Sequence, residues 1–232
     1  MAKLLLIRHG QASYGEADYD RLSTRGHDQA RALGAHLRGA TIDTLYVGPL
    51  RRQIETATSA AETAAGALPA QTTLPELAEY PAFELISRLM PRLAAEDTRF
   101  ARLATQPSRE LANEAFQTIM RRWMRDDWYV DGIERVGEFA ARVRRGLERI
   151  VAELRSGANV AVVTSAGPIG VAVGLVFGAT PLHMVRTSAV IRNASITELL
   201  VRTAEFAWHP EQVSLLAFNS LAHLPPELVT EY

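Results

Sequence analysis

The sequence contains no cysteine, so disulfides and thiolate metal sites are excluded and a reducing compartment is permitted. It also lacks a long apolar run. Val160–Val163 and Ile169–Phe177 are broken by Ser, Gly and Pro, well short of the roughly 20 residues needed to cross a bilayer. An excess of either charge is missing too. The net charge is −1 over 232 residues, which leaves no basic footprint for nucleic acid. Nearly all of the 25 Lys+Arg residues are arginine, a composition suited to anion binding. His27, His36, His183 and His209 lack metal-ligand spacing with acids or with one another, so no metal site is expected. Apolar order begins within three residues of Met1, which leaves no room for a signal peptide, and a cytoplasmic location is expected. What is present in quantity is core: hydrophobic residues make up 47%, enough for one sizeable domain.

The stretch Lys3-Leu4-Leu5-Leu6-Ile7-Arg8-His9-Gly10 organises the chain. A short continuous apolar run suits a strand buried on both faces, and Ile7 favours the pleat. Arg8 and His9 then fall where the strand leaves the sheet, the place where open α/β sheets bind ligands. An imidazole there can accept a phosphoryl group. A neighbouring guanidinium can hold phosphate oxygens in a fork. Gly10 lets a ligand approach the backbone.

Strand and helix signals then alternate. Gln11 to Arg21 is a polar loop with Gly15 and three acidic residues. Ser23 or Thr24 caps a helix whose apolar face is Ala30, Leu33 and Leu37, ended by Gly39. Thr44 to Val47 is a strand, broken by Gly48-Pro49 and followed by a helix from about Arg51 to Ala65. Free N–H groups at that helix start attract an anion. Ala70 to Leu74 is a third strand. Phe83 to Trp128 is helix-rich, with Phe100, Phe116, Met120, Trp123 and Trp128 expected mostly as core. Tyr129 to Gly137 reads as a linker before a strong helix, Glu138 to Leu154, stopped by Ser156-Gly157. Val160 to Val163 is the fourth strand. It runs into Thr164-Ser165-Ala166-Gly167-Pro168, where small residues at a strand end meet a helix N-terminus, an anion cradle. Ser195–Val201 and Val213–Phe218 close the sheet, with a His209-Pro210 turn suggesting a hairpin and an antiparallel edge.

Three blocks carry a family resemblance: Leu4 to Ser13, Leu22-Ser23-Thr24-Arg25-Gly26-His27-Asp28-Gln29-Ala30, and Tyr46-Val47-Gly48-Pro49-Leu50-Arg51-Arg52-Gln53-Ile54-Glu55-Thr56-Ala57. They resemble the histidine phosphatase superfamily, also called phosphoglycerate mutase-like. That resemblance implies a histidine that becomes phosphorylated, here His9, flanked by Arg8. The family pattern Pro-Leu-x-Arg-Ala-x-Gln-Thr-Ala places its second phosphate-binding arginine at Arg52 and leaves Arg51 variable. Relatives supply a carboxylic acid from a Leu-x-Glu segment. Two registers fit, through Glu79 and through Glu76, and Leu77-Ala78-Glu79-Tyr80 is preferred because one branch reads Leu-Asn-Glu-Tyr. The sequence departs from the pattern at Ser165-Ala166, where most members have a histidine followed by glycine. Arg192 or His223 is a candidate cation to fill that gap; otherwise His223 is expected to be structural, and Arg186 and Arg192, which stand near enough in the chain to reach a ligand, are expected in surface or packing roles.

The expectation is a single domain over 1–232: a three-layer α/β/α sandwich with a mostly parallel sheet, an antiparallel edge strand and a helical insertion at about 82–130. Its function is phosphomonoester hydrolysis through a phosphohistidine at His9. Arg8 and Arg52 clamp oxygens, Glu79 protonates the leaving group, and Gly10, Gln11, Ser165 and Ala166 contact the substrate. No cofactor, nucleic acid or membrane is implied, and the partner is a small phosphorylated substrate. The alternatives are a phosphate-binding protein with little turnover and a phosphoglycerate-type mutase.

Overall fold

The computed structural model describes residues 1–16, 18–202, 208 and 211–230. It resolves into two compact units, Met1–Glu79 with Arg142–Tyr232, and Tyr80–Ala141.

In the larger unit the chain runs β1 (Ala2–Arg8), α1 (Thr24–Leu37), β2 (Thr44–Val47), α2 (Arg51–Thr63) and β3 (Gln71–Thr73). After α3 (Ala82–Glu96) and α4 (Arg109–Met124) come α5 (Val136–Ala152), β4 (Asn159–Thr164), α6 (Ala166–Val176), α7 (Pro181–Ser188), β5 (Ile196–Val201) and β6 (Val213–Ser220). The sheet has six strands in the order β3-β2-β4-β1-β5-β6. β1, β2, β3 and β4 pair in parallel, while β5 runs antiparallel to both β1 and β6. This is the expected three-layer α/β sandwich with a mostly parallel sheet. The antiparallel character enters at β5, so the pair β5–β6 forms the antiparallel edge. The His209-Pro210 turn between them lies outside the described residues.

Side-chain alternation along a strand explains the layers. Ile7, Leu45, Val47, Ala161, Val163 and Ile196 form one cluster with Leu33 and Leu37 of α1 and Ala57 and Ala60 of α2. Residues of opposite parity, Leu4, Leu6, Val160 and Val162, are equally buried and point to the other face. Tyr46 belongs to that second face, and its hydroxyl donates to Glu153 at the end of α5. The strong periodicity of α5 reflects Val143, Leu147, Ile150 and Val151, all buried. α7 was not expected from the sequence. It is short, starts at Pro181, and buries only Met184, Val185 and Ser188, too few positions to show a period.

Of the two caps the sequence offers for α1, Ser23 takes the role, its hydroxyl accepting from the Gly26 N–H at 3.1 Å. The start of α1 lies hard against the loop after β1. A Cβ on Gly10 would stand 2.5 Å from the Gly26 carbonyl oxygen, and a Cβ on Gly26 would stand 2.2 Å from that of Gln11.

The smaller unit is helical. Its core is Leu85, Leu89 and Leu93 of α3, Phe100, and Ile119, Met120 and Trp123 of α4. Tyr80 stacks on Trp123 at 5.1 Å and meets Phe139 edge-on at 5.4 Å. Arg92 and Arg122 lie over the buried Trp128. Of the long side chains singled out in the sequence, Phe116 alone is exposed.

Candidate active site

The carboxyl ends of β1 and β4 lie side by side, because Arg8 is level with Thr164 and the His9 N–H donates to the Thr164 carbonyl at 2.8 Å. Two helices start from this edge, α2 after β2 and α6 after β4. Arg8, His9, Gly10, Arg52, Glu79, Ser165 and Ala166 are all carried by these strand ends, helix starts and the loop after β3.

His9 is buried, with 4% of its surface exposed. Its Nδ1–H donates to the Gly10 carbonyl at 2.7 Å. Its Nε2 accepts from the Arg52 Nε–H at 3.0 Å. Together these bonds set the tautomer: the proton is on Nδ1 and the lone pair is on Nε2. Burial, then the charges of Arg52 and Arg8, hold the His9 pKa well below 6.5. The ring is therefore a neutral imidazole at ordinary pH. The backbone of His9 is pinned as well, its carbonyl accepting from the Ala194 N–H at 3.2 Å and the Asn193 side chain at 3.3 Å. Gly10 donates its N–H to Thr56 in α2 at 3.0 Å.

Arg52, on the first turn of α2, is buried to 8% exposure. Its Nη1 donates to Asp20 at 2.5 Å, and the Tyr19 ring lies under its guanidinium at 5.5 Å. Asp20 therefore holds the tip of the fork while the Nε side faces His9. Asp20 also accepts from the Arg51 N–H at the head of α2. Arg51 itself is exposed and turned outward, bonded to Asp18 and Glu55. Arg8 donates through Nη1 to the Ile191 carbonyl.

Glu79 and Glu76 separate cleanly. The Glu79 carboxyl group accepts from the Gly167 N–H at 3.0 Å through Oε2 and so caps α6. Glu76 sits in the Pro75–Leu77 turn and pairs with Arg149 at 3.2 Å. The loop bearing Glu79 is anchored from three sides: Thr164 Oγ1 and Gln53 donate to the Leu77 carbonyl, and Arg142 donates to the carbonyls of Glu76 and Ala78.

Ser165 is fully buried at the start of α6, and its Oγ accepts from Gln53 Nε2 at 2.7 Å. Gln11 is bound into the α1 start, its N–H donating to Gln29 and its side-chain oxygen accepting from Ser23. His223 rests against His36, ring centroids 5.3 Å apart, and bonds the Ala194 backbone. Burial and then the neighbouring His36 lower its pKa to about 4, so it carries no charge near neutrality and does not supply the missing cation. Arg186 is exposed at the end of α7.

Asp20, Gln53 and Asn193 were not foreseen. Asp20 was one of three acids in a polar loop with no mark to distinguish it. Gln53 did leave a signal, since it stands where the family pattern has Ala. Asn193 left none. Among the described residues no group of three or more His, Asp or Glu is placed to hold a metal ion, and no helix is long and apolar enough to cross a membrane.

A buried neutral imidazole under the charges of two guanidinium groups, at the carboxyl ends of central strands, suits an anionic phosphorus centre. The chain belongs to the histidine phosphatase superfamily (branch 1), whose family model matches residues 4–87 and 96–211. Membership supports phosphatase or mutase-type chemistry. Solved structures share the fold at low identity. A phosphoserine phosphatase mutant from Entamoeba histolytica, in complex with phosphoserine, is 18% identical over 97% of this chain and 100% of that one, with a TM-score of 0.63. A mycobacterial glucosyl-3-phosphoglycerate phosphatase is 21% identical over 94% and 98%, TM-score 0.61. A putative alpha-ribazole-5'-P phosphatase from Escherichia coli is 19% identical over 95% and 98%, TM-score 0.61. No curated protein matches the sequence significantly.

Proposed function

We propose that the chain is a phosphomonoester hydrolase working through a phosphohistidine on His9. The observation that carries this reading is the state of His9: buried, neutral, protonated on Nδ1, with the Nε2 lone pair facing Arg52. Nε2 attacks the phosphorus and the ester P–O bond breaks. Glu79 gives its proton to the departing alkoxide, and Arg8 and Arg52 neutralise charge on the phosphoryl oxygens. In the second half, Glu79 takes a proton from water as the water oxygen attacks phosphorus, the N–P bond breaks, and inorganic phosphate leaves.

The Arg52 hydrogen bond adds a step. Its Nε–H occupies the same lone pair that must attack. A bound phosphoryl group draws that donor onto its own oxygens and so uncovers the nucleophile as it arrives. Gly10, Gln11, Ser165 and Ala166 line the remaining contacts with a small phosphorylated substrate. Ser165 has no charge, so turnover is slow.

Exposure to an aryl phosphate, followed by quenching, should leave acid-labile phosphate on the wild-type chain and none on His9→Ala. Full hydrolytic activity in His9→Ala would sink the mechanism. Hydrolysis faster than transfer to an acceptor alcohol separates phosphatase from mutase.

A further inference from the structure

Gln53 occupies a position that packing alone does not explain. It is fully buried in the first turn of α2, one residue after Arg52, and every polar group of its amide is used. Oε1 accepts from the Leu50 N–H at 3.0 Å. Nε2 donates to Ser165 Oγ at 2.7 Å and to the Leu77 carbonyl at 3.3 Å. Space for the amide is cleared by Gly48, where a Cβ would stand 2.2 Å from Gln53 Oε1.

The partner is equally unusual. Ser165 is the N-cap residue of α6, with extended backbone, yet its side chain makes no capping bond. A serine at an N-cap ordinarily accepts from the N–H two or three residues on. Here that N–H, Gly167, is taken by Glu79. The hydroxyl is thereby released from capping and receives the Gln53 N–H instead. A hydroxyl has one proton and two lone pairs. With an N–H already directed at its oxygen, Ser165 is left with its proton to donate. It lies level with His9 at the paired ends of β1 and β4.

We infer that Gln53 is a positioning residue that commits the Ser165 hydroxyl to act as a donor toward an anionic oxygen bound beside His9. Gly48, Gln53 and Ser165 form one device that replaces a charged donor with an oriented neutral one. The same amide, through Leu77, ties the loop carrying Glu79 to the helix carrying Arg52. This inference rests on the phosphatase reading above.

The test combines calorimetric binding of inorganic phosphate with aryl phosphate kinetics. Gln53→Met keeps the volume and removes the hydrogen bonds. Phosphate affinity and kcat/KM should each fall about tenfold, the worth of one neutral hydrogen bond. In a Ser165→Ala background the same change should cost much less than tenfold, leaving only what the Leu50 and Leu77 bonds contribute, because the larger part of the Gln53 effect passes through that hydroxyl. Gln53→Glu keeps the size and the Leu50 contact, so it stands in if Gln53→Met fails to fold. Its carboxylate accepts the Ser165 proton and turns the donor away. Its phosphate affinity relative to wild type should recover on acidification, when the carboxylic acid donates again. Additive losses in the double variant, or a Gln53→Glu deficit that does not change with pH, would overturn the proposal while leaving the phosphatase reading intact. A wild-type chain that neither binds phosphate nor hydrolyses the ester would overturn both.

Discussion

The Nε–H of Arg52 donates at 3.0 Å to Nε2 of His9, the ring nitrogen whose partner, Nδ1, is already committed to the Gly10 carbonyl. Arg52 and His9 therefore position each other. Burial first, and then the guanidinium, keep the imidazole neutral, and the imidazole in turn holds the Nε side of the Arg52 fork toward its own Nε2.

That relationship separates two adjacent arginines. Arg52 points inward to His9 and Asp20, whereas Arg51 points outward to Asp18 and Glu55. Loss of one charged donor aimed at developing charge costs on the order of 3 kcal/mol, or about a hundredfold in rate. Arg52→Ala is expected to lower kcat/KM by that amount, and Arg51→Ala by less than about threefold. Asp20→Asn, which loosens the grip on Arg52 Nη1, should fall between them at roughly fivefold, the scale of a partly exposed ion pair. Steady-state kinetics of the three variants decides the matter. Equal losses at Arg51 and Arg52 would mean that the outward arginine also reaches substrate.

The two candidate acids are distinguished by leaving group. Glu79 caps the helix that starts at Ser165, while Glu76 is engaged by Arg149. Glu79→Gln should slow alkyl phosphates by about a hundredfold, within the usual range for general acid catalysis, and affect nitrophenyl esters far less. Glu76→Gln should leave the ratio of the two substrates unchanged. A leaving-group dependence that appears in Glu76→Gln instead would reverse the assignment.

Acid should act on His9 through folding as well as chemistry. A histidine whose folded pKa lies below its unfolded value binds the proton better in the unfolded chain. The contribution of His9 is then complete above about pH 6.5 and is lost as pH falls below that value toward its lowered folded pKa. His223, lowered to about 4, adds a loss of the same sign between about 6.5 and 4. Denaturant unfolding at pH 7.5 and pH 5 should show the wild type losing more stability on acidification than His9→Gln. Nitrogen-15 NMR should show a ring protonated on Nδ1 alone at pH 6.5. A His9 resonance titrating at or above pH 6.5 would contradict the buried, doubly guanidinium-flanked environment.

Much of the fold is legible in the sequence because its cues are local. Leu4 to Ile7 and Val160 to Val163 are continuous apolar runs, and only a strand with helices on both faces can bury them. Thr44–Val47 is bounded by Gly48-Pro49, and Ser23 sits one residue before the α1 start, so those ends follow from turn and cap chemistry. The placement of Arg8 and His9 at a strand end follows from the same run. What tertiary structure alone decides is which side chains meet. The Gln53 amide and the Ser165 hydroxyl are 112 residues apart in the chain, and Asn193 lies 184 residues from the His9 carbonyl it supports. Arg51 and Arg52 share one helix turn and differ only in the direction in which α2 faces the sheet. Glu76 and Glu79 differ by one short turn, which sends one to Arg149 and the other to α6. Periodicity and propensity depend on near neighbours along the chain. Partners brought together by sheet order and helix packing are set by the summed burial of the whole core, and that sum does not appear in any short stretch of residues.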